Sequence, residues 1–173
     1  MPRNTAPRYD FRPVVEDDLP LIAGWLVEPH VAQWWGDPDE EIASIREHID
    51  SISVEPLIVE QDGEPIGYLQ SYDPHLEDDH PYQDQPFGTI GVDLTIGRPD
   101  LVGQGHGSAL LRQFVDELFA EGAPRVIIDP DPTNARAIRA YEKAGFRAFD
   151  RRNTVYGPAL MMAIDADDGD GET

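Results

Sequence analysis

The 173-residue chain contains no cysteine, which excludes disulfides, thiolate zinc sites and a cysteine nucleophile. Lysine is almost missing as well, Lys143 being the only one. Lysine and arginine together number 13 against 34 aspartates and glutamates, a formal net charge of −21. Phosphate backbones need clustered Lys and Arg, so this deficit argues against nucleic-acid binding. It equally disfavours an anionic membrane surface. Long apolar runs are lacking too: none approaches a bilayer-spanning length, and Met1 to Arg12 carries no apolar signal segment. These absences predict a soluble, cytoplasmic protein without membrane or nucleic-acid partners.

What is present is a globular composition with an acidic bias. Hydrophobic residues make up 40% and charged residues 27%, which suits one packed domain of this length. An acidic, lysine-poor surface stays hydrated in strong salt, where self-repulsion is screened. A halophilic source accounts for it, and so does a high-GC genome with an acidic bias. Polar residues 1–8 read as a flexible arm and DADDGDGET, 165–173, as an acidic disordered tail, leaving 9–164 as the domain.

Within that span, strand and helix patterns alternate. Phe11–Val15 reads as a strand, followed by a helix carrying Leu19, Ile22, Ala23 and Leu26. Pro38 opens a second helix with Ile42, Ile45 and Ile49 on one side. Leu57–Glu60 and Pro65–Tyr72 flank Asp62-Gly63, a hairpin signal. Asp73–Pro86 is acidic, proline-bearing and aperiodic, and reads as a long surface loop. Thr89–Ile96 alternates as a strand, Gly105–Phe119 as a strongly amphipathic helix, Val126–Ile128 as a short buried strand. Asn134–Ala144 is a further helix and Leu160–Ile164 a last strand. The order predicts an α/β or α+β sheet flanked by helices.

The densest motif is Val102-Gly103-Gln104-Gly105-His106-Gly107, which leads into Ser108 and the amphipathic helix. Alternating glycines let backbone approach a ligand, and amides at a helix N-terminus hold phosphate without a cationic side chain. A P-loop would need Gly-Lys-Ser/Thr, and a dinucleotide fingerprint a different glycine spacing. A glycine turn with no ligand stays open on this motif alone.

Downstream stand Asp129-Pro-Asp-Pro-Thr-Asn134 and Ala140-Tyr-Glu-Lys-Ala-Gly-Phe146. With the glycine turn, they resemble the acetyl-CoA-binding core of the GNAT superfamily of N-acetyltransferases. The family fold is a mixed, mostly antiparallel sheet flanked by helices. Val102 departs from the Arg or Gln that opens the family turn, so backbone amides from Gly103 to Ser108 are left to hold acetyl-CoA. The resemblance implies that Asn134 contacts the pantetheine arm and that Tyr141 lies near the thioester sulfur as acid for the leaving thiolate. His30-Val-Ala-Gln-Trp-Trp-Gly36 and the Asp62–Tyr72 segment narrow it to the aminoglycoside 6′-N-acetyltransferases, with agreement from about Trp25 to Phe146. A neighbouring branch acylates siderophore precursors and often carries histidine where this chain has Asp93.

Chemistry gives that aspartate a task. Acetyl transfer needs a neutral amine, whereas a free substrate amine is mostly ammonium at neutral pH. A carboxylate attracts the cation, orients it and accepts its proton directly or through water. Asp93 is the candidate catalytic group and Asp129 a second carboxylate for the same cleft. Read alone, Asp93 leaves a lesser alternative, a strand residue capping a turn or facing solvent, and Asp129 is equally a turn-starting aspartate. Tyr141 alone is equally a core tyrosine. Trp34 and Trp35 are candidate walls of the acceptor pocket, with core packing open for at least one of them. Glu77, Asp78, Asp79 and Asp84 would add acidity for a polyamine-like acceptor. The five histidines show no metal-ligand spacing, so no metal is expected. A siderophore precursor or protein amine as acceptor, or a non-catalytic acyl-CoA-binding module, remains the alternative, acting as monomer or homodimer.

Overall fold

Asp62 and Gly63 both adopt positive φ, 53° and 80°, the conformation of a two-residue turn whose twist matches its strands. The turn joins β2 (Val54–Gln61) to β3 (Glu64–Tyr72) in antiparallel register. The computed structural model describes residues 8–166. Its remaining strands are β1 (Asp10–Pro13), β4 (Ile90–Ile96), β5 (Arg125–Ile128), β6 (Arg147–Thr154) and β7 (Gly157–Asp165). The helices are α1 (Leu19–Leu26), α2 (Pro29–Ala32), α3 (Pro38–His48), α4 (His106–Ala120) and α5 (Ala135–Lys143). The seven strands form one sheet in the order β1-β2-β3-β4-β5-β7-β6, antiparallel throughout except for the parallel pair β4–β5. This is the mixed, mostly antiparallel sheet that the resemblance implies.

Side-chain alternation divides the core between two faces. Leu57, Val59, Leu69, Val92, Val126, Ile128 and Met162 pack with Leu110, Leu111, Phe114 and Val115 of α4. Their neighbours Ile58 and Tyr68 face the other way, against Leu19, Ile22 and Trp25 of α1 and Ile45 of α3. Farther along that second face, Tyr72, Ile127, Met161 and Ala163 pack beneath Tyr82. Asp73–Pro86, expected as a surface loop, therefore also covers this part of the sheet through Tyr82, which is only 1% exposed.

β4 and β5 pair only at Ile90↔Val126 and Gly91↔Ile127. Beyond that point they share no further pair among the described residues, and the site lies where they part. Strand β6 and the short α2 are elements that the sequence pattern did not announce. Arg8, Asp165 and Ala166 are the described parts of the expected arm and tail; the rest of both lies outside the described residues. Asp165 pairs with Arg125, and the Ala166 amide donates to Pro124 O at 2.9 Å, so the last strand outruns the expected Ile164.

Candidate active site

Two cavities open beside the parting strands. The first, about 640 Å³, is lined by the glycine turn, by Leu94, Thr95 and Ile96 of β4, and by one flank of α5. Gly105 caps α4 in the left-handed conformation, φ 88°, and Gly103 has φ 79°. A side chain at either would be strained, and a Cβ at Gly103, Gly105 or Gly107 would point into open space. The amides from Gly103 to Ser108 have no hydrogen-bond partner among the described residues. They form a bare cradle of donors at the positive end of a 15-residue helix.

Side chains around the cradle are turned to holding its shape. His106 Nδ1 pairs with the buried Tyr9 hydroxyl at 2.8 Å, and Gln104 donates to Asp100 O at 2.9 Å. Of the residues expected there, Gly103, Gly105, His106, Gly107, Ser108 and Asn134 line the cavity; Gln104 does not.

The second cavity, about 670 Å³, lies on the opposite side of the strand gap, between α3 and the 73–88 loop. Asp93 and Asp129 both line it. Their neighbours Val92 and Ile128 belong to the α4-facing core, so alternation turns both carboxylates to the other face. Gln70 Nε2 donates to Asp93 Oδ2 at 3.0 Å, and the Gln70 carbonyl in turn accepts from the Tyr68 hydroxyl at 2.7 Å. Asp129 Oδ2 accepts from the Tyr82 hydroxyl at 2.5 Å.

Burial dominates the electrostatics. Desolvation, the charge of Asp129 and more distantly Glu41 push Asp93 up to about 7, against the pull of Gln70. Asp129 is raised by burial and drawn back by Tyr82 and by its own backbone amide. Tyr141 is raised by burial and then by the two aspartates, so its hydroxyl keeps its proton at neutral pH.

Trp34, Trp35, Leu94, Asn134 and Tyr141 line both cavities and form their common wall. Tyr141 reconciles its two readings: its ring belongs to the α4-facing core, and its hydroxyl, without a partner among the described residues, faces the junction. Trp35 likewise packs on the second core, edge-on to Tyr68 with centroids 5.9 Å apart, and Trp34 is the more open wall. Asn134 Oδ1 caps α5 by accepting from Ala137 N at 3.2 Å, while its Nδ2 has no partner among the described residues.

The expected source of acidity needs correction. Of the four loop residues, only Glu77 lines the second cavity; Asp84 is drawn away into an ion pair with Arg152 at 2.7 Å. Glu40, Glu41 and Asp131 supply the negative wall instead. Gln70, Tyr72, His80 and Tyr82 were also missed; the alternation of β3 places Gln70 with Tyr68 and Tyr72, a signal available in the sequence. His80 Nδ1 accepts from Tyr82 N at 3.1 Å and its ring stacks on Tyr72, while His75 Nε2 pairs with Gln83 O.

Residues 14–154 match the acetyltransferase (GNAT) domain family. An aminoglycoside N(6′)-acetyltransferase type 1 of Klebsiella pneumoniae is 34% identical over 168 residues, covering 92% of this chain and 84% of that protein. A lysine N-acyltransferase of Mycolicibacterium paratuberculosis is 30% identical over 177 residues, covering 96% of this chain and 79% of that protein. A solved structure of aminoglycoside acetyltransferase AAC(6′)-Ib in complex with coenzyme A and kanamycin has a TM-score of 0.84 at 33% identity, covering 94% of this chain and 98% of that one.

Proposed function

This chain belongs to the GNAT acetyltransferase family, and on that premise we propose that it acetylates the 6′-type primary amine of a small polycationic acceptor, with an aminoglycoside as the model substrate. The observation that carries this reading is a half-buried carboxylate pair, Asp93 and Asp129, in a cavity that shares one wall with the glycine cradle. The named relatives and the coenzyme A and kanamycin complex support donor and acceptor alike.

The cradle suits acetyl-CoA: unpartnered amides from Gly103 to Ser108 would hold its pyrophosphate, with Asn134 beside the arm. Bound there, acetyl-CoA supplies an activated thioester with a thiol as leaving group. The protein's own groups do the rest. Asp129 and Asp93 attract the acceptor's ammonium, whose arrival favours the ionised form of both. Asp93 then takes the proton, a step suited to a carboxyl whose affinity for protons has been raised to the neutral range. The freed amine lone pair faces the common wall. Tyr141 Oη holds its proton there, available to the departing sulfur. Trp34 and Trp35 give flat apolar faces for sugar rings.

The same reading has the enzyme working in the cytoplasm as a monomer or homodimer, with its acidic surface as a halophilic adaptation. Thiol release from acetyl-CoA, measured with kanamycin, lysine and putrescine in parallel, tests the acceptor class. Turnover with kanamycin well above the others is expected. A preference for lysine would favour the chemistry of the mycobacterial relative, and no release with any amine would leave an acyl-CoA-binding module.

A further inference from the structure

Strand β6 holds the 73–88 loop in place through one side chain. Arg152 donates to both carboxylate oxygens of Asp84 at 3.1 and 2.7 Å, to Pro81 O at 3.4 Å and to Asp150 at 2.9 Å. Its guanidinium lies 5.7 Å from the centroid of the Tyr82 ring. Arg125 makes a second tie, from Nε to Gln85 at 3.1 Å. The loop is thus tethered on both sides of Tyr82, the buried residue whose hydroxyl reaches Asp129.

The two carboxylates receive unequal donors. Asp129 accepts a phenolic O–H from Tyr82, whereas Asp93 accepts a neutral amide N–H from Gln70, a weaker donor, at 3.0 Å. Two carboxylates sharing one half-buried site do not readily ionise together. The better donor therefore decides which of them holds the charge.

We propose that Tyr82, clamped by Arg152, is a positioning residue that makes Asp129 the resident anion of the pair, so that the acceptor's cation is held at Asp129 and its proton is given up to Asp93. This rests on the acceptor reading above. The titratable groups around Asp129 are Asp93 from β4, Tyr72 from β3, Tyr141 from α5, Tyr156 from the β6–β7 turn and Tyr82 from the loop, with His80 and Glu77 of the loop, Glu40 and Glu41 of α3 and Asp131 on the same cavity wall. The four tyrosines are all raised, chiefly by burial, and stay neutral; Tyr82 is the one that donates to Asp129 among the described residues. Its bond also draws the Asp129 carboxyl down against the effect of burial.

The test begins without substrate. Aspartate carboxyl carbons are followed by NMR titration in the wild type, Tyr82→Phe and Arg152→Ala. Tyr82→Phe is expected to move the Asp129 midpoint to higher pH, and Arg152→Ala to move it the same way by less. With kanamycin and acetyl-CoA, Tyr82→Phe should raise the acceptor KM by about tenfold or more, the scale of a lost hydrogen bond to a charged group, with kcat changed far less. An unchanged Asp129 midpoint overturns the proposal, as does a loss confined to kcat. Should Tyr82→Phe not fold, Arg152→Ala and Asp84→Asn carry the titration, and unchanged midpoints in both overturn it. A wild type that acetylates no amine would defeat the acceptor reading, while the titration would still decide whether Tyr82 sets the charge on Asp129.

Discussion

Asp93 on β4 and Asp129, one residue past the end of β5, each lie two residues beyond the Gly91↔Ile127 pair at which the β4–β5 pairing ends. That placement brings two half-buried like charges together, and it has a cost visible in stability. Asp93 has an ordinary value of 3.8 and a folded value of about 7, so the fold favours its protonated form. Its contribution is complete below about pH 4 and is lost as pH rises through about 7. Asp93→Asn, neutral at every pH, should therefore melt several degrees above the wild type at about pH 8 and converge with it near pH 4. Thermal denaturation across pH checks this; a variant less stable at pH 8 contradicts it.

Gly105→Asp should abolish the thermal shift given by acetyl-CoA. The substitution strains a backbone at φ 88° and puts an anion where the cradle's amides lie bare. Differential scanning with and without acetyl-CoA measures the effect, and a shift of wild-type size would remove the glycine turn from the donor site.

Much of this geometry is legible in the sequence, and the parts that are not share a cause. Asp-Gly announced the β2–β3 hairpin, and alternation with helical periodicity announced β4 and α4, because each buries one clean apolar face. Strand β6 buries almost nothing: Arg147 to Arg151 are all exposed, and only pairing with β7 makes them a strand. The loop's acidic, proline-bearing composition hid Tyr82, whose burial depends on Met161, Ala163 and Arg152 arriving from distant segments. The candidate residues of the common wall were named from motifs; that Asp84 would be spent on Arg152 and replaced by Glu40 and Glu41 required the fold.

Tyr141→Phe should leave the acceptor KM near that of the wild type and lower kcat, because a neutral hydroxyl that keeps its proton serves the leaving thiolate, while the acceptor's cation is held by the carboxylates. Water that enters in its place can deliver a proton, so a loss of about tenfold to a hundredfold is expected. Steady-state kinetics separate the two constants; a raised KM with unchanged kcat would make the tyrosine an acceptor contact only.

The charge of −21 leads to a salt prediction. Screening relieves repulsion among the excess carboxylates, so Tm should climb from low to molar KCl. A flat or falling Tm would favour genomic composition over halophily as the origin of the bias.

The most direct measurement is the pH profile of kcat/KM for kanamycin acetylation by the wild type and Asp93→Asn, with acetyl-CoA binding followed in both. Asp93 is expected to set the acid limb of the wild type, near its folded value of about 7. In the variant that limb should change and turnover fall by about a hundredfold or more, the scale of a lost positioned proton acceptor, while acetyl-CoA binds as before. An Asp93→Asn enzyme that keeps near-normal turnover and the same limb would make this aspartate structural and contradict the account.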